Sequence, residues 1–78
     1  MSTVDTEAVM AQLRAEAAAA GMSIVDLARH SKTSRSSLDL YLKGTRQMPL
    51  EVLYRIADVL DVEPATILSR AQERQANR

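Results

Sequence analysis

Cysteine, phenylalanine and tryptophan are absent from the 78 residues, and histidine occurs once. Without cysteine, disulfides and thiolate-ligated metals are excluded, and a reducing compartment is compatible with the composition. Tyrosine is the only aromatic, at two positions, so the core must be aliphatic, built from Leu, Val, Ile, Met and many alanines. Glycine and proline occur twice each, too sparsely for a phosphate-cradling loop. No apolar run approaches the roughly 20 residues of a membrane-spanning helix. The N-terminal stretch is acidic where a secretory leader would be basic. A cytoplasmic chain with no membrane partner is therefore the expectation. The length suits one small domain, near the lower limit for a single core without staples.

An excess of one charge is also missing: the formal net charge is zero. Nucleic-acid-binding domains usually carry a basic excess, but the distribution here is uneven. Between Arg29 and Arg46 the bases Arg29, Lys32, Arg35, Lys43 and Arg46 face one acid, Asp39. The acids gather instead at Asp5 and Glu7 and between Glu51 and Glu63. A neutral chain with one basic face can still bind a polyanion, because the local field matters more than the total. An ordinary solvated charged face is the alternative.

Every segment with apolar periodicity repeats at helical rather than alternating spacing, so the fold class is all-α with five helices. Residues 1–4 are expected to fray. An Ala-rich helix should run from Asp5 or Thr6 to about Ala20, with Val9, Leu13, Ala17 and Ala20 on one face and Gly21 closing it. Ile24 to His30 and Arg35 to Lys43 form two short helices. Pro49 should sit in the first turn of a fourth helix, ending near Leu60. There Leu50, Leu53, Ala57 and Leu60 point inward and Val52, Ile56 and Val59 widen the stripe, which makes it the most buried element. Asp61 can take the left-handed position that glycine usually fills. Pro64 opens helix five, with Ile67, Leu68 and Ala71 apolar, and residues 72–78 are polar and expected to fray. The domain thus spans residues 5–71.

The chain is organised around SIVDLARHSKTSRSSLDLYLKG, residues 23–44. Ser23 precedes the apolar Ile24, Leu27 and Ala28, with Asp26 at capping-box spacing. The pattern breaks at Ser31, Lys32 and Thr33. It resumes after Ser34, a second N-cap, with Leu38, Tyr41 and Leu42 on one face and Gly44 at the end. Helices this short cannot stand alone in water. Yet the first turn of the second, Arg35-Ser36-Ser37, is polar and free to face outward.

Ala28, KTSRSSLDLYLKG (32–44), Arg46-Gln47-Met48-Pro49-Leu50 and LYRIADVLDV (53–62) together resemble the helix-turn-helix domain of the phage Cro and repressor family. The resemblance runs from about Leu13 to Leu68. It implies a lambda-repressor-like domain whose helix three enters the major groove of double-stranded DNA. Base contacts then fall to Arg35, Ser36, Asp39 and Leu40. Arginine can bond guanine bidentately, a carboxylate can accept from cytosine N4, and leucine can press on a thymine methyl. Phosphate contacts fall to Ser23 and Ser34 at helix starts, to Lys32, and to Lys43, Thr45, Arg46 and Gln47 in the following loop. Such contacts hold register without reading sequence. Each of these residues also has a plainer reading as a cap or a solvated surface residue.

Three positions depart from that family's pattern. Ile24 stands where helix two usually begins with a DNA-bonding glutamine. Lys32 occupies the turn position that usually holds glycine, so its backbone is strained or the turn differs. Ala17 and Leu42 replace an arginine on helix one and a glutamate on helix three, which suggests an apolar contact.

Catalysis finds no support. His30 has no partner spaced for a triad or a zinc site, and at the end of helix two it suits the helix dipole. No cofactor or metal is expected. The implied function is transcription regulation, as a bacterial or phage repressor that blocks a promoter and is nucleoid-associated when bound. A protein-interaction module, antitoxin-like or an adaptor subunit, is the alternative. In it Leu40, Tyr41 and helix five would outweigh Arg35. A weak homodimer, formed if at all on DNA, is the expected assembly.

Overall fold

In the computed structural model, which describes residues 4–77, five helices follow one another without a strand among those residues: α1 Thr6–Ala19, α2 Ile24–His30, α3 Arg35–Leu42, α4 Leu50–Leu60 and α5 Pro64–Ala76. Each start has a local cause. The side chains of Asp5, Ser23 and Ser34 accept from the backbone N–H of Ala8, Asp26 and Ser37, which satisfies one orphan donor of each first turn. The capping box at Ser23 is only half made, because the Asp26 carboxylate turns to Arg29, 3.1 Å away. Pro64 occupies the first turn of α5. Pro49 instead stands just before α4, with extended backbone at ψ 147°. Its locked φ fits either position, so the preceding loop decides the difference.

The first four helices end alike. Gly21, Lys32, Gly44 and Asp61 all have positive φ, between 56° and 79°. At each end the residue after the left-handed one donates back to the helix: Met22 to Ala17, Thr33 to Ala28, Thr45 to Leu40 and Val62 to Ala57, at 2.9–3.0 Å. This is the Schellman termination, normally built on glycine. At Lys32 and Asp61 a side chain accepts a backbone that costs about 1–2 kcal/mol. Both alternatives raised by the missing glycine therefore resolve to strain at Lys32.

The core is aliphatic throughout. Leu13, Leu27, Leu38, Ile56, Ile67 and Ala71 are fully enclosed, with Val9, Met10, Ala17, Ala28, Leu42, Val52, Leu53, Ala57 and Leu60 around them. Leu50, by contrast, is 60% exposed. The buried stripe of α4 centres on Ile56, flanked by Leu53 and Leu60 on one side and Val52 on the other. Leu50 therefore falls at its edge. Ala20 is exposed because it lies past the end of α1, and Leu68 is 39% exposed.

The largest difference from expectation is at the C-terminus. The segment expected to fray after Ala71 is helical to Ala76, because α1 supplies polar partners that periodicity cannot reveal. Arg70 donates to Glu16 at 2.7 Å, Arg74 to Gln12 Oε1 at 3.2 Å, and the Asp5 N–H to Gln75 Oε1 at 2.8 Å. Gln12 also donates to Glu16 at 2.6 Å. Its own hydrogen bond from Arg70 chiefly holds the Glu16 carboxyl below its ordinary value, opposed by burial and aided by Gln12. At the other end, Val4 packs partly buried against the core. The rest of the fraying expected over residues 1–4 concerns residues 1–3, and the end of the C-terminal segment is residue 78; both lie outside the described residues.

Candidate nucleic-acid interface

Helices α2 and α3 are set by what lies beneath them and by the turn between. Leu27 and Ala28 bury one face of α2; Leu38 and Leu42 bury one face of α3. The turn is built on Ser31, 1% exposed, whose Oγ–H donates to the Ala28 carbonyl at 3.3 Å. From α4, Arg55 Nε donates to the Ser31 carbonyl at 2.9 Å. The far end of α3 is held by Arg14 of α1, which donates to the Leu42 carbonyl. Ala17 and Leu42 do lie in one apolar cluster, but an arginine on α1 still reaches α3. Its target is a backbone carbonyl rather than a glutamate.

With Leu38 and Leu42 inward, helical spacing turns Ser36, Asp39, Leu40 and Lys43 to the other side. Arg35 and Ser36 are exposed at the start of that face. Leu40 is 37% exposed, too open for a core leucine and placed for an outside contact. Asp39 is not a bare acid: Lys43 Nζ lies 2.9 Å from it. Both side chains are about half exposed or more, so the pair adds little stability. It does neutralise the acid on this face.

The residues expected at phosphates fall into three groups. Ser23 caps α2, and Ile24 after it lines the same depression as Asp39 and Lys43. Lys32 and Ser34 flank the turn, both exposed. Thr45, Arg46 and Gln47 are exposed in the loop after α3, where the backbone N–H groups of Thr45 and Arg46 both donate to the Leu40 carbonyl. Ser23 and Ser34 use their oxygens as acceptors for the helix starts. Each keeps a hydroxyl proton to donate.

The sequence pattern of the Cro/C1-type HTH DNA-binding domain matches residues 12–73. The chain belongs to that family. No curated protein and no solved structure matches it significantly. The matched range takes in α2, α3 and α4 whole, with most of α1 and α5, so the helix-turn-helix pair and its supports belong to one DNA-binding domain.

Within this helix-turn-helix domain, the charges divide sharply. Arg29, Lys43, Arg55 and Arg70 are paired with Asp26, Asp39, Glu51 and Glu16, while Arg14 and Arg74 donate to Leu42 and Gln12. Among the described residues, the side chains of Lys32, Arg35 and Arg46 have no hydrogen bond or ion pair. All three belong to the turn, to the start of α3 or to the loop after it. His30 is exposed in the last turn of α2. No group of three or more His, Cys, Asp or Glu residues is arranged for a metal among the described residues. None of their helices is long and apolar enough to cross a membrane.

Two contributors escaped sequence reasoning. Arg55 from α4 holds the turn between α2 and α3, and Arg14 from α1 holds the C-terminal end of α3. The Glu51–Arg55 spacing of four residues was visible, but it reads as an ordinary surface pair.

Proposed function

We propose that this chain is a sequence-specific regulator of transcription that reads double-stranded DNA with α3 and acts as a bacterial or phage repressor by occupying a promoter. One observation carries the reading: the unpartnered cations Lys32, Arg35 and Arg46 all sit on the helix-turn-helix unit and its following loop, while the other described arginines and Lys43 each have a partner within the chain. Cations left without internal partners keep their full charge for phosphates and base edges. Arg35, Ser36, Asp39 and Leu40 would face bases. Ser23, Lys32, Ser34, Lys43, Thr45, Arg46 and Gln47 would meet the backbone. The domain would then work in the cytoplasm on the nucleoid.

Selection of bound duplexes from a random pool tests this. A defined motif, with affinity falling steeply as salt rises, is the expected result. Recovery of no motif, with salt-insensitive binding, would sink it.

A second reading has its own support. Val9, Met10, Met48, Leu50, Leu53 and Leu68 line an apolar groove of ≈ 300 Å³, away from α3. An antitoxin-like or adaptor role would use that groove for a protein partner. Salt dependence separates the two readings, because only the first releases counterions from DNA.

A further inference from the structure

We propose that Arg55 is a positioning residue for DNA reading: from α4 it clamps the strained turn of the helix-turn-helix and so sets the aim of α3. The inference rests on the DNA-reading function proposed above. Arg55 spends its guanidinium on three acceptors at once. Nε bonds the Ser31 carbonyl at 2.9 Å, Nη2 approaches Thr33 Oγ1 at 3.4 Å, and Nη1 bonds Glu51 at 2.8 Å. Two of these lie on either side of Lys32, whose φ of 57° is the strained element of the turn.

The chemistry of the turn explains why a clamp is useful there. Ser31 is buried, and its carbonyl sits at the C-terminal end of α2, where orphan acceptors and the negative end of the dipole converge. A cation donating to that carbonyl satisfies it and suits the dipole. Glu51, one turn earlier on α4, anchors the guanidinium from behind. Glycine at position 32 would hold this geometry without strain. A lysine there leaves the turn with an incentive to relax, and Arg55 opposes it. Lysine meanwhile adds an exposed cation beside Ser34 and Arg35. The arrangement thus trades backbone ease for charge at the interface.

The consequence falls on specificity. Relaxation about Lys32 would swing Arg35 and Ser36, which begin α3 only three residues later. Base contacts depend on such placement more tightly than contacts to phosphate.

The test compares the full chain with Arg55→Ala and Arg55→Lys below their melting midpoints. The probes are the duplex enriched from the random pool and a scrambled duplex of equal length. Arg55→Ala should lower the ratio of the two affinities by about tenfold, the scale of one lost hydrogen bond from a charged donor, with the salt slope unchanged. Arg55→Lys, which can still reach one acceptor, should fall between, and it carries the comparison should the alanine variant fail to fold. An unchanged ratio overturns the proposal. A salt slope lowered by about one would make Arg55 a phosphate ligand and overturn it as well.

A parent chain with no preference between the duplexes would defeat the DNA-reading function itself. Amide hydrogen exchange without DNA then decides the matter of the clamp. Exchange at Lys32 and Thr33 should rise about tenfold relative to Ile56 in Arg55→Ala, and no relative change there overturns it.

Discussion

Glu16 of α1 and Arg70 of α5 meet at 2.7 Å across 54 positions of sequence. The Glu16 side chain is only 9% exposed, and Gln12 donates to the same carboxylate oxygen. The hydrogen bond from Arg70 lowers the carboxyl's affinity for a proton relative to the unfolded chain. A depressed folded-state value means stability that is present above the ordinary 4.5 and is lost as pH falls through the folded value. Thermal unfolding of the parent and Glu16→Gln should therefore differ near neutral pH and converge in acid. A constant difference down to pH 3 would show that the charge of Glu16 does not couple to folding.

Arg35→Ala should weaken binding to the selected duplex by about 1–3 kcal/mol and relax preference at one base position. Arg35 is exposed at the start of α3 and engages no group of its own chain among the described residues. Titration of single-base variants of the duplex measures this. Unchanged preference at every position would remove Arg35 from the reading face.

Arg46→Ala should weaken binding to all duplexes alike and lower the salt slope by about one. Its loop is pinned to the end of α3 by two bonds to the Leu40 carbonyl, which places it beside α3 rather than on it. An effect that depends on base sequence would mean that the loop enters a groove.

Ile56→Ala and Leu53→Ala should both destabilise the fold, by about 2–5 kcal/mol, enough to unfold a domain this small. Ile56 is fully enclosed, while Leu53 keeps 8% exposure at the edge of the apolar groove. The isoleucine should therefore sit higher in that range. Denaturant melts that rank Leu53 above Ile56 would misplace the centre of the core.

In free solution we expect a monomer or a weak dimer that closes, if at all, on DNA. One short helix in a groove buries a modest interface, and a second copy one DNA turn away would strengthen it. Outside α3 the exposed large apolar side chains are Val25, Leu50, Tyr54 and Leu68, and of these only Leu50 and Leu68 share one groove. Light scattering across a concentration series decides this, and a stable dimer at micromolar protein without DNA would refute it.

The residues alone determined the number of helices, their order and most of their ends. Those features follow from signals within a few positions: Ser23 and Ser34 cap, Gly21 and Gly44 terminate, Pro64 starts. Even the left-handed Asp61 was legible, because a helix that stops without glycine must bend some other residue. The membership of α3's outward face was equally local, since two buried leucines fix the rotation of an eight-residue helix. Tertiary packing decided what no window of sequence contains. It turned Leu50 outward, because the edge of a stripe is covered only if a neighbour arrives there. It carried α5 to Ala76 by bringing Glu16 and Gln12 beside Arg70 and Arg74. It also chose which cations are consumed: Arg14 and Arg55 resemble Arg35 and Arg46 in composition, and only the placement of distant carbonyls and carboxylates sets them apart. Long polar side chains reach across helices, so their partners are fixed by the assembled fold and not by their neighbours in the chain.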